Sequence, residues 1–458
     1  MRRMNDVLIV VLGGMAVLGA GCGESRDVCD GSCDAVVDVV DVSLGGFHSC
    51  AILNGGRLKC WGDNFVGQLG LGDREFRGDE PGEMGGRLPL VDLGITGEVV
   101  AVAAGAAHTC ALLREGTVKC WGSNRHGQLG LGDTASRGDE PGEMGDRLPV
   151  VDLGRGKKAI AIAAGIAHTC ALLSEGTVKC WGDNRHGQLG LGDVEERGDE
   201  AGEMGDELPE VSLGAGATVL SVVTGGEHTC ALLQGGAVKC WGKNDYNQLG
   251  FDTFYNRGDQ VAEMGGYLPR VNLGTGQVAV ALAAGNDHTC AQLREGTLKC
   301  WGTNSSGQLG FGGYSGIGSR EETMGDILPL VEVRPGEAIV SVVAGAYHTC
   351  ALLTSGVVQC WGANFYGQVG VGREDERLHF TGAEGDRLPA VNLGENAQGV
   401  WVRVGTTHTC AGLQDGTFKC WGANAGGQLG MGDERDRGHL PEDMGEGLPA
   451  VKVVSEGR

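Results

Sequence analysis

Seven histidines recur at an interval of 60 residues, and imidazole side chains can serve acid–base or metal chemistry. A residue that is present in every copy of a repeat serves the repeat itself, and equivalent positions around a repeated structure do not converge on one ion. We therefore predict a structural role for them, a hydrogen bond to backbone where the second strand of each repeat begins, and no metal site. The seven are His48, His108, His168, His228, His288, His348 and His408.

Fourteen of the 17 cysteines form seven pairs whose members lie ten residues apart. In a hairpin centred on Glu115, Cys110 lies directly opposite Cys120, which brings the two β-carbons within disulfide reach. The sequence therefore predicts one disulfide in each hairpin, with reduced buried cysteines as the alternative; the pairing of Cys29 and Cys33 stays open. The predicted bridges are Cys50–Cys60, Cys110–Cys120, Cys170–Cys180, Cys230–Cys240, Cys290–Cys300, Cys350–Cys360 and Cys410–Cys420.

The elements that position these residues repeat with the same period. A tryptophan preceded by Cys and followed by Gly occurs every 60 residues from Trp61 to Trp421, and we expect these rings to pack between repeats. Each unit holds four short apolar segments separated by turn signals, the pattern of a propeller blade. We predict an all-β fold, a seven-bladed β-propeller of four-stranded blades over 39–458, whose C-terminal strand at 448–451 completes the first blade and closes the ring.

The repeated phrase Gly-x-x-His, then Trp-Gly-x-Asn-x-x-Gly-Gln-Leu-Gly, resembles the repeats of the regulator of chromosome condensation family. Its superfamily includes the secreted bacterial beta-lactamase inhibitor protein II. The resemblance covers 39–458, with small departures at Asn247 and Val369. It implies a seven-bladed propeller, in agreement with the strand count, but it does not imply one function, because members of the family do unrelated things.

The N-terminal residues have the form of an export signal. Residues 1–22 contain Arg2 and Arg3, then an apolar run too short to cross a bilayer as a helix, and they end at Cys22 in a sequence that resembles a bacterial lipoprotein box. We predict lipidation at Cys22, a linker at 23–38 rich in Asp and Cys, and a propeller in an oxidising compartment, either as an envelope lipoprotein or as a secreted protein. A membrane-spanning anchor is the third alternative.

Almost all of the formal net charge of −23 resides in seven equivalent stretches, the first of which begins at Asp73. Equivalent loops of a ring emerge at equivalent places, so we expect an acidic collar that repels nucleic acid and attracts cations. The alternative is that the loops are soluble connectors. We predict no cofactor; Ca²⁺ on these loops is a secondary hypothesis, because the loop at 133–146 lacks the ligand spacing of an EF-hand.

Positions that differ between copies are free to be tuned to a partner. Aromatic and arginine side chains are frequent interface anchors, and several follow the Trp-Gly-x-Asn phrase; by the resemblance, residues just before the repeated histidine are also candidates, because this segment of the chromosome-condensation regulator contributes to the face that engages its GTPase. The alternative is a scatter of surface residues. The candidates are Phe65, Arg125, His126, Arg185, His186, Tyr246, Phe365 and Tyr366 from the first set, and Glu227, Asp287 and Tyr347 from the second.

These observations favour a monomeric, non-enzymatic propeller at the cell envelope that displays one ring face to a protein partner and meets the membrane only through its lipid anchor. Guanine-nucleotide exchange, as in eukaryotic relatives, is an alternative that the export signal and the uniform spacing disfavour. A propeller enzyme, or a cation- or glycan-binding protein, is a further alternative, but the chain has no nucleophile elbow, phosphate-binding loop or zinc signature, and no catalytic residue is predicted.

Overall fold

The computed structural model describes residues 39–95, 97–251, 253–311, 323–373, 377–378 and 388–454. The predicted signal, the predicted lipidation site Cys22 and the predicted linker lie outside these ranges. Within them the protein consists of β-strands, turns and four short 3-10 helices, at Gly85–Arg87, Gly145–Arg147, Pro441–Asp443 and Gly445–Gly447. Among the described residues, no helix is long and apolar enough to cross a membrane.

Seven antiparallel sheets, numbered here as blades 1 to 7 in chain order, confirm the predicted blade count. Each contains an inner, a middle and an outer strand in sequence order, and blade 6 has a short additional strand, β19. The strands are β1 Val39–Leu44, β2 His48–Leu53 and β3 Arg57–Gly62; β4 Val99–Ala104, β5 His108–Leu113 and β6 Val118–Gly122; β7 Ala159–Ala164, β8 His168–Leu173 and β9 Val178–Gly182; β10 Val219–Thr224, β11 His228–Leu233 and β12 Val238–Gly242; β13 Ala279–Ala284, β14 His288–Leu293 and β15 Leu298–Gly302; β16 Ile339–Ala344, β17 His348–Leu353, β18 Val358–Ala363 and β19 Arg377–Leu378; β20 Gly399–Val404, β21 His408–Leu413 and β22 Phe418–Gly422.

The inner strands surround a central axis. Each inner strand contacts the next one around the ring, and β20 of blade 7 contacts β1 of blade 1. The last residue of every inner strand and the two residues after it line a cavity of about 210 Å³ on the axis. The seven sheets therefore form a closed ring.

The segment predicted as the fourth strand of each blade is extended but mostly irregular. In blade 1 the amide of Val91 donates to the Leu58 carbonyl of β3 at 2.9 Å, and Arg77 bridges Gly62 at the other end of that strand. Pro89 has no amide hydrogen to give to a ladder. This explains why the fourth predicted strand of the blade is irregular, whereas the other three are regular.

The prediction that the C-terminal strand completes the first blade is wrong. Val451 donates its amide to the Phe418 carbonyl of β22, so the last segment completes its own blade 7. Val451 also packs against blade 1, and the carbonyl of Val453 accepts from Lys59 Nζ of that blade at 2.8 Å. Leu93 makes the same contact with Lys119 at the boundary of blades 1 and 2. Every copy already contains a complete blade. The ring therefore closes because blades 7 and 1 are joined by the same contact that joins blades 1 and 2.

Buried polar side chains join the blades. Each repeated histidine is fully buried, and its Nε2 pairs with a hydroxyl of the next blade, as His48 does with Thr109 at 2.9 Å. His408 closes the circle on Ser49 at 3.0 Å. The predicted backbone partner was therefore wrong: the partner is a side chain 61 residues away. The tryptophans pack between blades as predicted, and Trp121 donates its indole N–H to the Gln68 carbonyl of blade 1.

The seven predicted disulfides are present, one in each blade between the middle and outer strands. Cys110 stands directly opposite Cys120 in the register of β5 and β6, and both residues are completely buried. This arrangement confirms the cysteine pairing that the hairpin spacing predicted.

Candidate functional site

The two sets of variable positions lie side by side on one face of the ring. In blade 1 the amide of Asp63, just after the Trp-Gly pair, donates to the carbonyl of Phe47, just before the repeated histidine, at 2.9 Å. The same bond joins Lys243 to Glu227 and Ala363 to Tyr347. We call this surface the loop face.

The backbone of the loop face is held by side chains that recur in every repeat. Asn64 is buried; its Oδ1 accepts from the Leu69 amide at 3.0 Å and its Nδ2 donates to the Asp73 carbonyl at 2.8 Å. Gln68 Oε1 accepts from the Val66 amide at 3.0 Å. Because these bonds fix the loop without using the side chains of residues 65 and 66, those two positions can vary between blades.

Blades 2 and 3 contribute one polar cluster. His126 Nδ1 lies 2.7 Å from Glu196 Oε1, and its Nε2 lies 3.5 Å from a terminal nitrogen of Arg185. Arg185 also donates its Nε to Asp183 Oδ1 at 3.0 Å. The guanidinium contact requires an unprotonated Nε2, so we assign the imidazole proton to Nδ1, which then donates to the glutamate.

A second cluster continues into blades 4 and 5. Lys243 Nζ lies 2.8 Å from Glu227 Oε2 and 3.6 Å from Asp287 Oδ1, and His186 Nε2 lies 3.7 Å from the other oxygen of Glu227. Burial lowers the pKa of Lys243, but the Glu227 hydrogen bond and the charges of neighbouring carboxylates outweigh it, and the pKa is raised. Burial also raises the pKa of Asp287, against the opposing charge of Lys243.

We call these two clusters together the charged arc. The ring of Tyr246 borders it, with its centroid 6.0 Å from Lys243 Nζ, within the range of a cation–π contact. Opposite charges within the arc pair with one another, so its side chains are positioned before any partner arrives.

The remaining part of the loop face exposes aromatic rings. Blades 1 and 6 flank blade 7, whose equivalent residues are small, among them Ala425 and Gly426. We call the five aromatic residues of blades 1 and 6 the aromatic arc. Their exposed fractions are 47% for Phe47, 70% for Phe65, 41% for Tyr347, 45% for Phe365 and 44% for Tyr366.

The structure divides the predicted partner residues between the two arcs. It brings His126, Arg185, His186, Glu227 and Asp287 into the charged arc, with Tyr246 at its border. It places the other aromatic candidates in the aromatic arc, and Arg125 is exposed on its loop in blade 2. The predicted aromatic patch of Phe65 and Phe365 thus spans two blades separated by blade 7.

Sequence reasoning missed the partners that organise the charged arc. Asp183 and Lys243 occupy the variable position of Trp-Gly-x-Asn, which holds Asp, Ser, Lys, Thr or Ala in different copies. This variation between copies could have marked Asp183 and Lys243 as candidate site residues. Glu196 lies in an acidic loop, where nothing in the sequence distinguishes it from its neighbours.

Several carboxylates of the acidic loops bind their own loops. Asp73 pairs with Arg77 at 2.7 Å, and the same pair recurs in blades 2, 3 and 7. Glu83 Oε2 accepts from the amides of Gly78 and Glu80 at 2.8 and 3.2 Å. These groups maintain the loop conformation, which supports the connector interpretation at these positions.

The fold and its variable face define a seven-bladed propeller, and comparison with known proteins defines its family. A model of the RCC1-like domain matches residues 9–324, and a model of the regulator of chromosome condensation (RCC1) repeat matches residues 339–368. The chain therefore belongs to the RCC1-like domain family, as the repeated phrase indicated.

Two curated relatives illustrate how differently this family is used. The chain is 31% identical over 404 residues to the ultraviolet-B receptor UVR8 of Arabidopsis thaliana, covering 87% of this chain and 80% of that protein. It is 32% identical over 320 residues to the E3 ubiquitin-protein ligase HERC2 of Homo sapiens, covering 69% of this chain but 6% of the ligase.

Solved structures support the fold. Yeast RCC1 (Prp20), in a crystal structure with Kap60, is 20% identical with a TM-score of 0.65, and the alignment covers 93% of this chain and 90% of that one. Human WBSCR16 is also 20% identical, with a TM-score of 0.64, over 86% of this chain and 93% of that one.

Proposed function

We propose that this propeller is a non-enzymatic protein-binding module that docks a protein partner on its loop face, with the aromatic arc as the anchor. The observation that carries the proposal is the set of five exposed aromatic rings on two blades of one face. Aromatic side chains bury large areas and dominate the energetics of protein interfaces.

The charged arc supplies the second element of the proposed interface. Ordered charges beside an apolar anchor select the orientation of a partner and accelerate its encounter more than they raise the affinity. Solved relatives give a precedent for protein binding, since one structure is of yeast RCC1 with Kap60 and another is titled for the binding of Prp20p to Gsp1p and histones.

We place this activity at the cell envelope or outside the cell. Seven disulfides within one ring favour an oxidising compartment, where such bridges form and persist. The export signal and Cys22, which lie outside the described residues, provide the proposed route and lipid anchor.

The test is site-specific photocrosslinking of the full chain in its producing cell. A photoreactive phenylalanine analogue at position 65 or 366 is expected to capture one defined protein from the envelope or secreted fraction. The same analogue at position 267, an exposed tyrosine whose neighbours Gly266 and Leu268 line a cavity with the hairpin residue Gln234 of blade 4, is the matched control and should not capture it.

A triple variant then measures the contribution of the arc. Phe65→Ala with Phe365→Ala and Tyr366→Ala should weaken binding of the purified partner by at least about 100-fold, since interface anchors contribute 2 kcal/mol or more each. Ile95→Ala with Tyr267→Ala and Ile327→Ala removes three exposed apolar side chains elsewhere and should leave binding unchanged. Equal loss in both variants, or no crosslink at either loop-face position, would count against the proposal.

A further inference from the structure

Three metal-ligating side chains meet in the charged arc at the boundary of blades 2 and 3. Nitrogen or oxygen atoms of His126, Asp183 and Glu196, one from each residue, all lie within 4.8 Å of one another. Asp183 is buried, with 3% of its surface exposed, whereas His126 and Glu196 are partly exposed. One ligand is thus fixed inside the protein and two line an approach from solvent.

The donor set matches a divalent transition metal. One imidazole nitrogen with two carboxylate oxygens is a combination that Zn²⁺ accepts, and three protein ligands leave a fourth position for water. Ca²⁺ and Mg²⁺ prefer oxygen donors alone, so the imidazole favours zinc or a related ion over them.

This triad is a single exception among seven equivalent positions. One blade further on, the same places hold His186, Lys243 and Asn256, a cation and an amide in place of the two carboxylates. One blade earlier they hold Val66, Ser123 and Ser136. The blade fold does not demand the triad, and the prediction of no metal site did not consider histidines that differ between blades.

The guanidinium group of Arg185 lies beside the triad, where it supplies the positive charge that a metal ion would supply. Its Nε donates to Asp183 Oδ1 and a terminal nitrogen approaches His126 Nε2, while its side chain is 53% exposed. With a neutral imidazole, two carboxylates and one guanidinium leave a net charge of −1, which favours a dication. An exposed arginine can rotate into solvent when a metal ion replaces it.

We propose that His126, Asp183 and Glu196 bind one Zn²⁺ or similar divalent transition-metal ion, and that Arg185 leaves the site as the ion enters. Binding requires the imidazole proton on Nδ1 or the guanidinium contact at Nε2 to be given up, and it therefore competes with protons as well as with Arg185. This site does not depend on the partner-binding proposal.

The test is a zinc titration of the full chain, purified without a polyhistidine tag, in competition with a fluorescent zinc chelator. The wild type should bind one more equivalent of Zn²⁺ than His126→Ala, and Glu196→Gln should weaken this site by at least about tenfold. Arg185→Ala should tighten it severalfold, because the competing cation is gone; a purely structural ion-pair cluster would not respond in this way.

The matched control is His186→Ala, which removes the equivalent histidine beside Lys243 and should leave zinc binding unchanged. Thermal unfolding without metal shows which variants fold; if His126→Ala does not, the partly exposed Glu196→Gln decides the question. Equal zinc stoichiometry and affinity in the wild type and the folded triad variants would overturn the site. Loss of partner capture would not affect this result, because the measurement reports the metal alone.

Discussion

The charged arc of blades 2 to 5 and the aromatic arc of blades 1 and 6 are built on the same loops. In both, a backbone bond joins the two variable segments, as from Lys243 to Glu227 and from Ala363 to Tyr347. In the charged arc, variable side chains pair with one another across blade boundaries, as His126 does with Glu196, His186 with Glu227 and Lys243 with Asp287. In the aromatic arc, two-fifths or more of each ring's surface remains exposed.

This difference shows how a repeated scaffold separates stability from recognition. The buried Asn, Gln, His and Trp side chains keep every loop in place, and the variable positions are released from that task. Paired charges add local order but little apolar area, whereas exposed rings add apolar area whose burial is deferred to a complex. The predictions below test whether the arcs share one scaffold and differ only in these side chains.

Acidification should weaken the histidine contacts that join the blades under both arcs, and this is the largest effect that we expect. Burial lowers the pKa of His48 and His168 to about 4, and of the other five ring histidines to about 3. The unfolded chain, with ordinary histidine pKa values near 6.5, therefore takes up protons first as the pH falls. Stability is lost as the pH falls through about 6.5, and below that value the loss approaches roughly 1.4 kcal/mol per pH unit for each histidine.

Urea unfolding at pH 7.5, 6.5 and 5.5 measures this slope. For the seven histidines together, the free energy of unfolding should fall by roughly 2–3 kcal/mol between the first two values and by roughly 7 kcal/mol between the last two. A flat profile down to pH 5.5 would mean that the histidine ring does not hold the blades together as the structure shows.

Removal of one disulfide should lower the free energy of unfolding by the same amount in a blade of either arc. Cys170→Ala with Cys180→Ala opens blade 3 of the charged arc, and Cys350→Ala with Cys360→Ala opens blade 6 of the aromatic arc. Each bridge closes a loop of about ten residues and should contribute about 2–3 kcal/mol by the loop-entropy model. Denaturant unfolding of the two double variants should agree within about 0.5 kcal/mol; a larger difference would show that the scaffolds are unequal.

Removal of the positive charge of Lys243 should distinguish the two arcs by its effect on stability. Lys243→Met leaves the carboxylates of Glu227 and Asp287 on one surface without the charge between them, and we expect a loss of about 1–2 kcal/mol, reduced by partial exposure. High salt should shrink this loss because it screens the remaining repulsion. The measurement is denaturant unfolding of variant and wild type at low and high salt; an equal stability at low salt would contradict the ordered charged arc.

Truncation in the aromatic arc should have the smallest effect on folding. Phe65→Ala and Tyr366→Ala remove exposed rings, so each should change the free energy of unfolding by less than about 0.5 kcal/mol. Thermal unfolding with the Lys243→Met variant as reference checks the contrast. A loss above about 1 kcal/mol would show that these rings support the fold and are not reserved for a partner.

The local features of this protein could be predicted from its sequence, because the residues involved are close along the chain. The cysteines lie ten residues apart in one hairpin, so strand register alone brings them together. The irregular fourth segment could also have been predicted from Pro89, whose missing amide hydrogen limits ladder pairing.

Features that cross a blade boundary could not be predicted in this way. The partner of His48 is 61 residues away, and Glu196 lies 70 residues from His126. The closing contact between Lys59 and Val453 spans 394 residues. In each case the sequence shows a suitable side chain but not its partner.

The sequence by itself therefore determined the seven blades, their disulfides and the positions free to vary, because a strict period and local register leave few alternatives. Only the tertiary structure decided how the ring closes, which hydroxyl each histidine meets, and which variable residues form the charged arc. These outcomes depend on how one blade packs against the next, and the geometry of that packing is not contained in the sequence of a single repeat.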